Sequence, residues 1–291
     1  MAGPPTAAIA TGILGKGTET GVRRHIQYLF GGNTVVLTEQ VEPGYAPDRP
    51  ILVQRGAAGP IAALERAVGA GISSRKYGCS GVPFGRDRKA MVGFLDTNRV
   101  SAIVAEFGHI GANLAPVANQ LGLPIFVYFR GFDASKRLRL PRMVRRYRAM
   151  APRVDGFVAV SRFLLDNLAA AGITHPNAHV IPTGVDTELF KPGAKDPNLI
   201  TSVGRIIAKK APLTTLEAFA RVSGAFPDAR LEIVGDGDLR PEAEARAAAP
   251  DLAGRVIFHG AEPHETVRTR MAAASIFLQH SVTDAEGNTE G

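Results

Sequence analysis

The chain has no tryptophan and one cysteine, Cys79, and no apolar run nears the roughly 18 residues that a membrane span needs. A single cysteine excludes an intrachain disulfide and a cysteine-based metal site, and it fits a reducing compartment. The apolar opening Ala7–Leu14 has no Lys or Arg ahead of it and soon meets Lys16 and Glu19. It reads as a first strand rather than a signal peptide. Of His25, His109, His175, His179, His259, His264 and His280, only His175 and His179 keep His-x-x-x-His spacing, across Pro176 and with no His-x-Glu pair beside them, so no catalytic metal is expected. Aromatics make up only 7% and no nucleic-acid-binding motif is present, which argues against a nucleic-acid partner. The Gly-x-Ser-x-Gly elbow of α/β-hydrolases is missing, as are short-period repeats and low-complexity tracts.

What is there is a globular composition. The 291 residues are 45% hydrophobic and 21% charged, enough for a core and long enough for two domains. Lys and Arg number 34 against 27 Asp and Glu, a formal charge of +7 that favours anionic partners. Short β-rich runs alternate with helical patterns. Strands are expected at Ala7–Leu14, Thr34–Thr38, Ile51–Gln54, Ser101–Ala105, Pro124–Phe129 and Gly156–Val160, then at Leu199–Val203, Ala229–Val234, Arg255–Phe258 and Ser275–Leu278. Between them fall helices such as Gly21–Phe30, Gly111–Leu121, Ser161–Ala171, Pro212–Phe226 and Pro263–Ala274. Continuously apolar strands separated by helices predict parallel sheets covered on both faces, an α/β doubly wound architecture. The Pro/Gly-rich stretch 190–198 reads as a linker, and two similar halves facing a cleft are expected.

Three glycine loops follow strands. Gly12 to Glu19 offers Gly15, Gly17, Thr18 and Glu19 at a helix entrance, where backbone N–H groups suit a phosphate or a sugar hydroxyl. A P-loop would need glycine where Ala10 stands, so that reading is weak. Gly204 and Arg205 with Lys209 and Lys210 combine a planar fork and mobile cations between a strand end and a helix start, which suits a diphosphate. Gly235 and Gly237 form a further turn where a base or ribose can lie against backbone. Residues 136–148 carry Lys136, Arg137, Arg139, Arg142, Arg145, Arg146 and Arg148 among apolar residues, an amphipathic basic segment. An anionic membrane surface and plain solvent are equally good partners for it.

Val203-Gly204-Arg205-Ile-Ile-Ala-Lys209-Lys210-Ala-Pro resembles the V-G-R…K-K-G/A donor-phosphate loop of family 4 retaining glycosyltransferases of the GT-B fold. Phe157-Val-Ala-Val-Ser161 is similar to that family's last N-domain strand and the serine opening the next helix. Val180 to Phe190 is similar to its interdomain signature, and Leu231 to Arg240 and Val256 to Gly260 to its donor-domain strands. Asn288-Thr289-Glu290-Gly291 resembles the first half of its paired-glutamate motif. Where many members have histidine, Phe129-Arg130-Gly131-Phe132-Asp133 carries arginine, which donates hydrogen bonds but is no general base near neutral pH.

The resemblance implies two Rossmann-like doubly wound domains. An acceptor-side domain is expected over 1–190, a linker over 191–198 and an incomplete nucleotide-sugar-binding domain over 199–291. It implies a fragment, since the second glutamate and the family's closing strands and helix are missing. The implied activity is transfer of a hexosyl group, with retention and without a cofactor, from a UDP- or GDP-linked sugar. The implied acceptor is a carbohydrate or a lipid-linked molecule, in surface polysaccharide or glycolipid assembly, in the cytoplasm or at the inner membrane face. Arg205 and Lys210 would neutralise the diphosphate, with Gly204, Gly235, Gly237, Glu290 and Gly291 completing the donor pocket. Glu290 and Arg130 would be catalytic, and Gly15, Gly17, Thr18, Glu19 and His109 would face the acceptor. A nucleotide-sugar epimerase of the same fold, a kinase and an inactive nucleotide-binding fragment remain alternatives.

Overall fold

The computed structural model describes residues 4–15, 19–54 and 59–290. Within it the chain divides into two compact units, the first ending at Thr183 and the second running from Gly184 to Glu290. The first unit holds β1 (Thr6–Leu14), α1 (Thr20–Tyr28), β2 (Thr34–Val41), β3 (Ile51–Val53), α2 (Pro60–Tyr77) and α3 (Gly85–Thr97). It continues with β4 (Val100–Glu106), α4 (Gly108–Leu121), β5 (Ile125–Phe129), α5 (Pro141–Met150), β6 (Gly156–Ala159), α6 (Arg162–Ala170) and β7 (Ala178–Val180).

Its sheet is parallel throughout, in the order β3-β2-β1-β4-β5-β6-β7. Ala7, Ala8, Ile9 and Ala10 of β1 are fully buried, as expected of a strand with helices over both faces. Strand order reverses between β1 and β4, and open α/β sheets bind ligands at the carboxyl ends of strands beside such a reversal. Helix α4 is buried along ten positions from Gly108 to Ala118, so it lacks a polar face. Its glycines let it lie against the sheet: a Cβ on Gly111 would stand 2.5 Å from Val127 Cγ2, and one on Gly108 2.5 Å from the Phe129 ring. Ser161 caps α6 by accepting from the Leu164 N–H at 3.4 Å.

The second unit comprises β8 (Asp196–Val203), α7 (Pro212–Ser223), β9 (Arg230–Val234), α8 (Arg240–Ala247), β10 (Val256–Gly260), α9 (His264–Ala273) and β11 (Ala274–Phe277). Its parallel sheet runs β10-β9-β8-β11, reversing between β8 and β11. Ile206, Leu216, Phe219, Leu231, Ile233 and Leu252 form its core. Residues 196–198 are strand where the composition read as linker. Asp196 pairs with Ala274 in the sheet, and its carboxylate takes the Asn198 N–H and the Arg230 guanidinium.

The basic segment 136–148 becomes a 3-10 turn, Lys136–Arg139, followed by α5. Met143, Tyr147 and Met150 of α5 are buried in the core, while Arg142, Arg145 and Arg148 face outward. Most of the apolar side that insertion into a bilayer would require is thus already packed, with Leu140 left exposed among the charges. An exposed apolar stripe lies instead along α2, on Ile61, Leu64, Val68 and Ile72.

Candidate active site

In the second unit the polar groups gather at the carboxyl end of β8. Gly204 leaves the strand with its N–H on Val234 O at 2.9 Å, and the chain turns through Arg205 to a short 3-10 turn, Ala208–Lys210. Ala211 closes that turn at φ 45°, a left-handed conformation, and Pro212 starts α7. The lysines are thereby held at the entrance of a helix. Lys209 is 6% exposed, and its Nζ lies 3.2 Å from Glu290 Oε1. Lys210 Nζ lies 2.9 Å from the same oxygen. Burial alone would raise the Glu290 carboxyl, but Lys210 and Lys209 outweigh it and hold the group below its usual range.

Arg205 is exposed and makes no ion pair among the described residues, so its guanidinium is available to a ligand. Gly235 and Gly237 serve the loop by close approach. A Cβ on Gly235 would stand 1.9 Å from Gly204 O and one on Gly237 2.5 Å from Ile206 O, and both glycines have positive φ. Ser202, Gly204, Arg205, Lys210, Thr215, Gln279 and His280 line a crevice between the ends of β8 and β11. His280 was not among the expected site residues, and Lys209 was expected only as a member of the basic turn. The Nε2 of His280 is buried without a hydrogen-bond partner. Gly291 lies outside the described residues.

In the first unit the reversal between β1 and β4 carries a second cluster. Glu106, the last residue of β4, is fully buried. Its Oε1 bonds His25 Nδ1 from α1, and its Oε2 takes Arg130 Nη2 at 2.8 Å and Nε at 3.2 Å. Burial would raise the Glu106 carboxyl, yet His25 and Arg130 together hold it below its usual range. Arg130 also stacks over Tyr128, 4.7 Å from the ring centre, and donates to Thr183 Oγ1 at 3.4 Å. Most of the Arg130 fork is therefore engaged within the unit, with Gly21 directly beneath it: a Cβ there would meet Nη1 at 2.5 Å. His25 and Glu106 were missed because 81 positions separate them in the sequence.

The expected acceptor-side residues are split. Gly15 is exposed at φ 92°, against the Tyr45 ring, and Glu19 precedes α1. Gly17 and Thr18 lie outside the described residues. His109 sits in the first turn of α4, its ring stacked on Phe107 at 5.9 Å. Burial, then Arg137 and Arg146, push its imidazole down to about 3, so it is neutral. Phe107 has φ 83°, a strained conformation for a residue with a side chain. Its backbone is fixed by Tyr128 O at 2.9 Å, and the next N–H by Asp133 Oδ2 at 2.8 Å.

Two Rossmann-like units in succession, each with a polar cluster beside its strand-order reversal, define an α/β protein of the GT-B kind. Family models agree: residues 53–189 match Glycosyltransferase Family 4 and residues 185–289 match Glycosyl transferases group 1. The chain belongs to the family 4 glycosyltransferases. Over 202 residues it is 29% identical to the amylovoran biosynthesis glycosyltransferase AmsK of Erwinia amylovora, covering 65% of this chain and 48% of that protein. Over 137 residues it is 29% identical to a subunit of the phosphatidylinositol N-acetylglucosaminyltransferase of Arabidopsis thaliana, covering 45% of this chain and 31% of that one. The chain thus spans less than half the length of these relatives. Among solved structures, Anabaena HepE in complex with UDP and glucose superposes with a TM-score of 0.68 at 15% identity, over 96% of this chain and 75% of that one.

Proposed function

We propose that this chain carries the donor-phosphate site of an enzyme that transfers a hexosyl group from a nucleotide sugar to a carbohydrate or lipid-linked acceptor. The observation that carries this reading is the convergence of Lys209 and Lys210 on Glu290, beside the exposed Arg205, at the carboxyl end of β8. Three cations at a strand end and helix entrance neutralise the charge that develops on a departing diphosphate, so no metal or cofactor is invoked. Glu290, held ionised, orients the sugar. The curated relatives named for amylovoran and phosphatidylinositol glycosylation support an acceptor in surface polysaccharide or glycolipid assembly. An acceptor of that kind would be met in the cytoplasm, at the inner membrane face. Retention follows if the acceptor oxygen bonds the anomeric carbon on the face from which the carbon–diphosphate bond breaks, its proton passing to the leaving phosphate oxygen.

The test is titration of UDP and GDP against the chain and its Arg205→Ala and Lys210→Ala variants. Each removed charge should weaken binding by about 1.5–3 kcal/mol, roughly ten-fold to a hundred-fold. Unchanged affinity in both variants overturns the assignment.

A second reading rests on His25 and Glu106. An imidazole oriented by a buried carboxylate is the arrangement of a general base. Acting on the acceptor hydroxyl, it would give inversion instead. The anomeric configuration of the product, read by NMR, decides between them.

A further inference from the structure

The first unit contains a cationic cluster that the donor site does not use. It joins the start of α4 to the 3-10 turn at Lys136–Arg139 and to α5. Arg146 donates to His109 O at 2.8 Å and to Asn113 Oδ1. Arg137 packs over the Phe132 ring, 5.1 Å from its centre. Tyr147 is fully buried, its ring against Gly108.

Four buried polar atoms here have no hydrogen-bond partner: His109 Nδ1, Arg137 Nε, Arg146 Nε and the Tyr147 hydroxyl. Buried donors are normally satisfied, and leaving several unmet in one place is costly. All four can donate, because the His109 imidazole is neutral and its free nitrogen can carry the proton. Among the described residues no carboxylate bonds either guanidinium. Asp133, whose charge reaches Tyr147, accepts instead from the Gly108 and Arg130 backbone N–H groups at 2.8 Å each. Glu39 acts on Arg146 only through space. Two cations and two neutral donors without a counter-ion exclude a metal and match a tetrahedral oxyanion.

A cavity of about 250 Å³ lined by Gln54, Gly81, Phe84, Asp87 and Met91 lies on the far side of Asn113 from the cluster, and none of the four donors lines it. Gly81 in its wall packs on Asn113, the acceptor of the Arg146 bond, where a Cβ would meet Oδ1 at 2.1 Å.

We propose that His109, Arg137, Arg146 and Tyr147 bind the phosphate of a phosphorylated acceptor. This rests on the transferase reading above for the word acceptor, but the binding itself does not involve the donor site. The test is calorimetric titration of glycerol 3-phosphate, with glycerol as the neutral control. It uses the wild-type chain and the Lys210→Ala, Arg137→Gln and Arg146→Gln variants, with circular dichroism to check folding. Glycerol 3-phosphate should bind wild type and Lys210→Ala alike, and about ten-fold to a hundred-fold more weakly to each arginine variant. UDP affinity should be unchanged in Arg137→Gln, which lies on a short turn outside the core helices and is the variant least exposed to a folding defect.

Sedimentation with vesicles of phosphatidic acid against phosphatidylcholine separates a lipid phosphate from a soluble one. Dependence of vesicle binding on Arg137 identifies a lipid source, and its independence a soluble phosphate ester. Loss of glycerol 3-phosphate binding in Lys210→Ala with none in Arg137→Gln and Arg146→Gln overturns the proposal. Failure of UDP to bind wild type, with this pattern intact, overturns only the donor reading.

Discussion

Glu290 occupies both lysines of the proposed donor site, and this makes one substitution informative. Lys209 Nζ and Lys210 Nζ both face Glu290 Oε1, at 3.2 and 2.9 Å. An incoming diphosphate needs the same ammonium groups and sets a second negative charge beside the carboxylate. Two unit charges about 6 Å apart interact by about 3 kcal/mol at an effective dielectric of 20. The Glu290 side chain is 39% exposed, so solvent screening reduces the repulsion to about 1 kcal/mol. Glu290→Gln keeps the shape and removes the charge. UDP should therefore bind about five-fold more tightly, while sugar transfer falls because the orienting carboxylate is gone. Calorimetry with UDP gives the first quantity and turnover of a UDP-sugar the second. In a Lys210→Ala background the gain should shrink, since less freed charge remains, and the double-mutant cycle measures that coupling. Weaker UDP binding to Glu290→Gln in an otherwise folded protein would refute this competition.

Other substitutions probe the supports of the two clusters. Ala211 holds φ 45° behind the lysines, so Ala211→Gly should raise stability by about 1 kcal/mol, seen as a higher urea midpoint. Gly235→Ala would press a methyl to 1.9 Å from Gly204 O, and should cost more than about 2 kcal/mol and abolish UDP binding. Near-wild-type stability there would contradict the close approach. Burial raises the Asp133 carboxyl to about 6 from 3.8, which favours the protonated form in the fold. The native state then binds more protons than the unfolded chain between those values. Stability from this group therefore falls as pH rises through that window, by up to about 3 kcal/mol. Measured against Asp133→Asn, wild type should gain as pH drops from about 7 to about 5, and a constant difference would count against the shift. For membrane contact, binding to anionic vesicles should fall with Arg142→Gln and Arg145→Gln if charge on α5 drives it. Loss with Leu64→Asp alone would assign it to the α2 stripe.

The sheets were legible because parallel strands need helices on both faces and so become continuously apolar. Ile9, Ile103, Val127 and Leu231 are buried in strands where such runs predicted them. Strand β7 escaped notice: it has three residues, and its middle one, His179, is exposed at the sheet edge. Helix α2 was equally hidden. Its apolar residues Ile61, Leu64, Val68 and Ile72 keep helical spacing, yet they face solvent rather than the core. The basic segment showed the opposite limit. Its amphipathic character was plain from residue order, but not that the core, rather than a bilayer, takes Met143 and Tyr147.

Site residues divided by the range over which their chemistry is assembled. Gly204, Arg205 and Lys210 share one turn between a strand and a helix, so local pattern was enough to find them. Lys209 stood in the same turn, but nothing in the sequence says that it is the more deeply buried of the two lysines. Arg130 was visible as a departure from a motif, and its partner was not. Only the sheet, by setting β4 beside both β1 and β5, brings Glu106 to Arg130 and His25 together. The arginine that replaces the motif's histidine is thus neutralised from below by a buried carboxylate, which in turn orients a histidine from another helix. That exchange gives Glu106→Gln a distinct expected signature. It should loosen Arg130 and His25 at once, leaving a buried amide that accepts from only one of them. If His25 acts as a base, Glu106→Gln and His25→Ala should cost similar amounts of turnover and be non-additive together, with UDP affinity untouched in the second unit. Additive losses would mean that Glu106 serves Arg130 alone, and would return the mechanism to the lysine and glutamate cluster at β8.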